Sequence, residues 1–335
     1  MITVKPILRQ VPRWQRELAH AIHDPAELLR ALELDPALLP AARTAAKSFP
    51  LRVPLGFVAR MRKGDPDDPL LRQVLPLAAE FEPVPGFVSD PVGDQAMQAA
   101  PGVLHKYQGR ALLIVTGVCA VHCRYCFRRE FPYAEVCADA DSWQPALAYL
   151  ASDTSIREVI LSGGDPLALS DRRLGVLLAA LDRIPHLKRL RIHSRLPVVL
   201  PERVDEVLLK LLAQIRLQSV LVIHANHPRE MDEAVQAALM QLATAGVTLL
   251  NQSVLLRGVN DTAATLAELS EALFAARVMP YYLYLLDRVR GSAHFEVKDA
   301  KASAIMKKLR QQLPGYLVPR LVREQPGQPA KTPVW

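Results

Sequence analysis

The sequence predicts an α/β fold, six parallel strands each followed by a helix, behind a mostly helical N-terminal region. Short Leu-rich or β-branched runs recur from residue 111 on: ALLIVTG (111–117), REVILSGG (157–164), LRIHS (190–194), SVLVIHAN (219–226), VTLLNQSVLL (247–256) and VMPYYLYLL (278–286). Longer segments with helical spacing separate them, among them DRRLGVLLAALDRI, ERVDEVLLKLLAQI, MDEAVQAALMQLATAG and TAATLAELSEALFAA. Short buried strands alternating with helices imply a parallel sheet, because each crossover needs a helix. Six such strands suit a barrel or partial barrel, and an open doubly wound sheet has the same alternation. The third observation is positional. A cysteine-rich loop follows the first strand, GGDP ends the second, SRLP follows the third and HANHP follows the fourth. In a parallel barrel these ends share one face, where functional sites collect.

The flanking segments read differently. In residues 1–100, PAELLRALEL and AARTAAKSF have helical spacing, and DPDDPLLRQVLPL opens with turn residues before an apolar run. The expected division is a helical region over 1–100, the strand–helix repeat over 101–295, and a C-terminal segment, 296–335, with one helix and a Pro/Gly-containing end. No low-complexity linker divides the chain.

Composition excludes several classes. The formal charge of +7, from 41 Lys and Arg against 34 Asp and Glu, is scattered, with no long basic block and no basic–aromatic stripe. Direct nucleic-acid binding is therefore not expected. No run approaches the roughly 18 apolar residues of a membrane span, and MITVKPILRQVPRWQREL lacks the order of a secretion signal. A cytoplasmic protein without membrane contact is expected. Four cysteines in such a chain do not suggest a disulfide framework.

Three of those cysteines stand in GVCAVHCRYCFRRE as C-x3-C-x2-C: Cys119, Cys123 and Cys126. A structural zinc site closes its tetrahedron with four ligands, and the nearby candidates for the fourth are His122 and Cys137. Three thiolates also suit a cubane iron–sulfur cluster with one iron lacking a protein ligand. A noncatalytic metal-binding or RNA-associated protein is the competing reading.

The cysteine motif after a first barrel strand resembles that of the radical S-adenosylmethionine enzymes, and LSGGDP (161–166) resembles their Gly-Gly-Glu/Asp element. The resemblance implies a partial (β/α)6 TIM barrel and a [4Fe–4S] cluster on the three cysteines. It also implies S-adenosylmethionine chelating the open iron, with Gly163, Gly164 and Asp165 at its methionyl amine. The C-terminal EQPGQPAKTPVW, together with TGVCAVHCRYCFRR, SRLPVVLP, HANHP, NQSVLLRGVND and PYYLYLLD in order, resembles the lysine 2,3-aminomutase family over residues 95–335.

That resemblance implies an isomerase moving the α-amine of L-lysine to the β-carbon, with pyridoxal 5′-phosphate held by Lys331. It places Lys106, Tyr107 and Arg110 of HKYQGR at the phosphate and Arg128 at the substrate carboxylate, with Arg129 as competitor. Asp287 and Glu324 fall at the ε-ammonium, Glu324 standing where the family usually has Asp. His224 and Gln252 fall near S-adenosylmethionine. Thr262 follows GVND where longer members carry a zinc-binding cysteine, so a structural zinc is not implied. The short form resembles the bacterial aminomutase whose (R)-β-lysine modifies translation elongation factor P. It implies a link to that factor and its lysyl-transferring enzyme, and an electron donor such as flavodoxin or ferredoxin. An aminomutase for another amino acid, such as glutamate, is the nearer alternative, opposed by like-charge repulsion from Asp287 and Glu324.

Overall fold

The computed structural model describes residues 11–136 and 143–334. Its centre is a ten-stranded sheet in chain order: β1 (Gln98–Ala100), β2 (Val103–Tyr107), β3 (Arg110–Thr116), β4 (Glu158–Gly163), β5 (Arg189–Ser194), β6 (Gln218–Ile223), β7 (Thr248–Val254), β8 (Met279–Tyr284), β9 (Arg320–Arg323) and β10 (Thr332–Pro333). From β3 to β9 every neighbour runs parallel, and antiparallel hairpins close both flanks. The six expected strands are all present.

The crossover helices form where amphipathic spacing meets a cap. Asp171–Asp182 starts at Ser170, Glu206–Gln214 at Asp205, Glu233–Thr244 at Asp232 and Ala263–Ala275 at Thr262, each cap side chain accepting an orphan backbone N–H. Thr262 thus serves the fold at the position where a zinc ligand was not expected.

Alternation along the strands sorts two faces. Ala111, Leu113 and Val115 of β3, Val159 and Leu161 of β4, Leu190 and Ile192 of β5, and Leu221 and Ile223 of β6 belong to the main core, packed with the helices' leucines. By the two-residue period the other face carries Arg110, Glu158, Ser162, Arg191, His193, Gln252, Tyr282 and Tyr284. Buried Ile114, Ile160 and Val222 share that face, so it is a mixed wall with enough polar groups to take a ligand.

The sheet curls around this polar face. Tyr107 of β2 donates its hydroxyl to Glu324, just past β9, at 2.6 Å. Seven strand spacings of about 4.8 Å would set these strands roughly 34 Å apart in a flat sheet. Among the described residues no strand pair closes the ring, so the barrel is partial.

Two segments differ from expectation. The tail is more than a helix and a loop. Asp299–Gln312 leads to a seventh parallel strand, β9, sealed by a second core of Leu283, Ile305, Leu309 and Leu321. RLVR is four residues long, ends in Arg on both sides and follows Pro319, so it carries little strand signal. The N-terminal region is helical at Arg13–Ala19, Pro25–Ala31, Leu39–Ser48 and Leu55–Val58, but from 59 to 97 it makes only 3₁₀ turns. Prolines 66, 69, 76, 83, 85 and 91 remove the N–H groups a helix there would need.

Leu321 is 4% exposed in the second core. Leu321→Ala is expected to destabilise the chain by about 2–5 kcal/mol, read from its urea unfolding midpoint against the parent.

Candidate active site

The loops after successive parallel strands are bonded to one another at a single face. Asp165, 5% exposed, accepts at Oδ1 from Ser194 Oγ (2.7 Å) and Leu167 N (3.0 Å), and at Oδ2 from Arg195 N (2.8 Å) and Leu196 N (3.1 Å). The turn before it lies flat on the start of the cysteine loop. Gly164 N bonds Thr116 O at 2.7 Å and Asp165 N bonds Val118 O at 2.8 Å. A Cβ at Gly164 would meet the Val118 carbonyl oxygen at 2.5 Å, and one at Gly163, whose φ is +114°, would meet Thr116 O at 2.6 Å. The glycines are required by close approach. Asp165, expected at a methionyl amine, has both oxygens of its carboxylate engaged by protein donors.

Cys119, Cys123 and Cys126 are free and partly buried in the loop that follows β3. Burial raises the Cys119 thiol well above its ordinary range, reinforced by Cys126, Asp165 and Cys123. Burial, with Cys123 beside it, pushes Cys126 up to about 11. Thiols this costly to ionise become thiolates when a multivalent cation shares their site. His122, the candidate fourth ligand, is turned away: its Nδ1 lies 2.8 Å from Pro50 O and its ring stacks on Phe49. Cys137 lies outside the described residues. Among those described, no three His, Cys, Asp or Glu groups are gathered tightly enough for a single metal ion. The donor set fits a three-thiolate cluster better than a zinc cage.

Arg128 and Arg129, adjacent in sequence, part company. Arg129 is not a solvent-facing side chain. It bonds Glu80 at 2.6 Å and the carbonyls of Arg124 and Gly291, beside the buried Arg124–Glu80 pair, and so braces the loop. Arg128 turns into the chamber, where Nε bonds Asp94 at 2.7 Å and Nη1 bonds Ser162 of β4 at 3.0 Å. Its Nη2 has no hydrogen bond to any described residue. Asp94, 2% exposed, also binds Lys106 Nζ at 2.6 Å. These two cations hold its carboxylate below the usual range against the opposing effect of burial. Sequence reasoning missed Asp94, because an acid in SDPVGDQ looks like any turn acid.

The Lys331 amine reaches the same chamber from the opposite flank. The β9–β10 register pairs Thr332 with Arg323, so Lys331 and Glu324 face each other one step nearer the hairpin tip, and their side chains form an ion pair. Lys331 Nζ lies 5.5 Å from the Tyr107 ring centre and 5.3 Å from that of Tyr284. Burial draws its ammonium below the ordinary lysine range, while Glu324 holds it up.

Of the three residues expected at a phosphate, Lys106 is taken by Asp94 and Val92 O, and Tyr107 donates to Glu324. Arg110 packs its guanidinium over the Tyr107 ring at 4.6 Å and makes no hydrogen bond to a described residue, so its planar fork is available to a dianion. Asp287 and Glu324 line one cavity of about 280 Å³ together with Leu286, Arg288 and Arg323. Burial, then the neighbouring Glu324, pushes the Asp287 carboxyl up to about 7.

The remaining wall is basic in composition yet uncharged. His224, after β6, and His193 of β5 meet edge to face at 5.9 Å, and the Nε2 of each is buried without a partner. Burial lowers His224 to about 4, and burial together with His224 holds His193 well below the ordinary imidazole range. Gln252 of β7 shares the face, and its amide bonds no described residue. Orphaned polar atoms of this kind mark a wall built for a polar ligand. His193 was missed in the sequence, where LRIHS reads as a strand end and nothing more.

An open parallel barrel with three thiols beyond its first parallel strand and a Gly-Gly turn beyond the next defines a radical SAM domain, and the Radical SAM superfamily matches residues 113–269. Over 322 residues the chain is 55% identical to the L-lysine 2,3-aminomutase of Escherichia coli (strain K12), covering 96% of this chain and 94% of that protein. It is 48% identical to that of Haemophilus influenzae over 98% of this chain and 97% of the relative, and 36% identical to that of Clostridium subterminale over 96% and 77%. The chain belongs to the lysine 2,3-aminomutase family of radical SAM isomerases, in its short bacterial form. Membership implies S-adenosylmethionine and a [4Fe–4S] cluster, which the thiols and the orphaned wall fit.

Gly164→Ala is expected to push the cysteine loop off the turn and lower bound iron severalfold after anaerobic reconstitution. Iron and sulfide analysis with the visible spectrum checks it, circular dichroism showing that the barrel remains.

Proposed function

We propose that this chain is a pyridoxal-phosphate-dependent L-lysine 2,3-aminomutase that makes (R)-β-lysine for modification of elongation factor P. The observation that carries the pyridoxal phosphate assignment is Lys331, a half-buried amine between two tyrosine rings, across the chamber from the cysteine loop and near the uncommitted Arg110 fork. When bound, the cluster and S-adenosylmethionine supply a hydrogen-abstracting radical, and pyridoxal phosphate supplies the carbonyl that carries the migrating amine.

The chain's own residues position and shield. Arg128 Nη2 takes the substrate carboxylate, while Asp94 and Ser162 fix the rest of the guanidinium. Asp287 and Glu324 would take the ε-ammonium, and Glu324 Oε2 accepts from the Lys331 ammonium, which keeps that amine in place at the chamber. Cys119, Cys123 and Cys126 hold the cluster; Gly163, Gly164, His224 and Gln252 line the S-adenosylmethionine wall, joined by His193. Arg110 and Tyr107 meet the phosphate, with Lys106 acting through Asp94. Tyr107 and Tyr284 exclude water from the amine. Two carboxylates at the far end favour a cationic side chain over that of glutamate.

The (R) hand and the elongation-factor destination rest on the resemblance to the short bacterial form, supported by the near-complete overlap with the Escherichia coli and Haemophilus influenzae relatives. A cytoplasmic location with a flavodoxin- or ferredoxin-type donor suits oxygen-sensitive chemistry. No described helix is long and apolar enough to cross a membrane.

The test is an anaerobic assay of the reconstituted chain with reductant, S-adenosylmethionine, pyridoxal phosphate and L-lysine, read by chiral mass spectrometry with L-glutamate in parallel. (R)-β-Lysine that disappears when either cofactor is omitted is expected; β-glutamate alone would overturn the substrate assignment.

A pH dependence follows from Asp287. With its carboxyl near 7 in the free site, lowering the pH adds a proton that a bound ammonium must expel. The KM for L-lysine is expected to rise as pH falls below 7, approaching tenfold per unit. Asp287→Asn should raise KM at pH 8 and flatten this dependence.

A further inference from the structure

Arg195 follows β5 and is 5% exposed, and both terminal nitrogens of its guanidinium are held while Nε is buried without a partner. Nη1 lies 2.7 Å from Cys123 Sγ; Nη2 lies 2.6 Å from Gln73 Oε1 and 3.0 Å from Glu230 Oε2. Phe57 and Tyr125 pack their rings against it at 5.4 and 5.7 Å. Its own backbone N–H is held by Asp165. Gln73 and Glu230 are wholly buried and are bonded to each other and to Asn226, which also bonds Tyr125. A permanent cation with an N–H directed at one cluster thiol is more than packing requires: a buried guanidinium carries a large desolvation cost, which Glu230 alone offsets incompletely.

We propose that Arg195 sets the reduction potential of the cluster, its charge and its N–H···S contact making the one-electron reduction easier. The inference rests on the reading that Cys119, Cys123 and Cys126 hold a [4Fe–4S] cluster. Reduction takes the cluster from the 2+ to the 1+ state, the electron arriving from a low-potential one-electron donor. A fixed positive charge and a hydrogen bond at sulfur both favour the more negative state, and both are recognised determinants of iron–sulfur potentials. Glu230 works against Arg195, its carboxylate cancelling part of the field that the cluster feels. Substitutions at the two residues therefore shift the potential in opposite directions, whereas loosened packing or added solvent has no reason to produce opposite signs.

The experiment is a mediated redox titration of the full-length, anaerobically reconstituted chain without S-adenosylmethionine, the reduced cluster being counted by electron paramagnetic resonance. Iron and sulfide per chain are measured in each sample, so failure to assemble a cluster is separated from a change in its potential. Arg195→Gln is expected to make reduction at least tenfold less favourable, a downward shift of about 59 mV for one electron. Arg195→Lys keeps the charge and should lie between that variant and the parent. Glu230→Gln should shift the midpoint upward. An unchanged midpoint in a fully loaded Arg195→Gln protein, or downward shifts in both Arg195→Gln and Glu230→Gln, would overturn the proposal. If Arg195→Gln does not assemble a cluster, Glu230→Gln decides alone: an upward shift supports the proposal, and any other result rejects it.

Discussion

The active face depends on one buried carboxylate. Asp165 collects four donors, three of them backbone N–H groups, and thereby ties the end of β4 to the end of β5. Burial pushes this carboxyl above its ordinary range and the four donors oppose that shift, so losing the acceptor would strand its donors at a cost of about 1–3 kcal/mol each. Two consequences follow. The Gly163–Gly164 turn is pressed onto Thr116 and Val118, which fixes where the cysteine loop leaves β3. The backbone of Arg195 is held so that its side chain runs toward Cys123. The acid of the Gly-Gly-Asp element thus also aims the loops around it.

A second constraint is charge alternation through the chamber. Moving from the cysteine loop to the hairpin tip, Arg128 meets Asp94, Asp94 meets Lys106, Lys106 approaches Glu324 at 3.8 Å, and Glu324 meets Lys331. In a low-dielectric interior an isolated charge is prohibitively costly, so each ion is present because the next one is. Within that pattern Arg128 has a free nitrogen and Asp287 stands beside Glu324 without a matching cation of its own. On the proposed function, the carboxylate and the charged side chain of lysine would complete the two ends. A second anion at the Asp287 end would instead add to repulsion that already raises that carboxyl.

Much of this could be read in advance, for physical reasons. The barrel strands are short Leu-rich or β-branched runs, and the helices between them start at Ser, Asp and Thr caps, so period and cap agree. The three closely spaced thiols carry chemistry rare enough to be noticed alone, whereas the Gly-Gly turn and Lys331 gain their meaning only beside the other motifs. β9 was invisible because four residues with charged ends have no usable period, although it is the strand that positions Glu324. Asp94, His193 and Arg195 were invisible as functional residues for another reason. Each looks ordinary locally, and its meaning comes from partners far away in sequence: Asp94 and Arg128 are 34 positions apart, and Arg195 and Cys123 are 72 apart.

The hairpin shows how a small sequence departure is absorbed. Because Glu324 and Lys331 are cross-strand neighbours, any acid at 324 is offered first to the lysine. From that backbone position the Glu324 carboxylate also takes the Tyr107 hydroxyl at 2.6 Å. An aspartate would set its carboxylate back by one carbon–carbon bond, about 1.5 Å, and could not keep both contacts without moving the strand. The extra methylene therefore shifts this acid toward Lys331 and Tyr107 and, on the proposed function, would leave Asp287 as the nearer partner for a substrate cation. It also adds to the proton affinity that burial gives Asp287, because Glu324 stays close enough to repel that carboxylate. A cation entering between them relieves both carboxylates at once, so the longer side chain reshapes the pocket without reversing its preference.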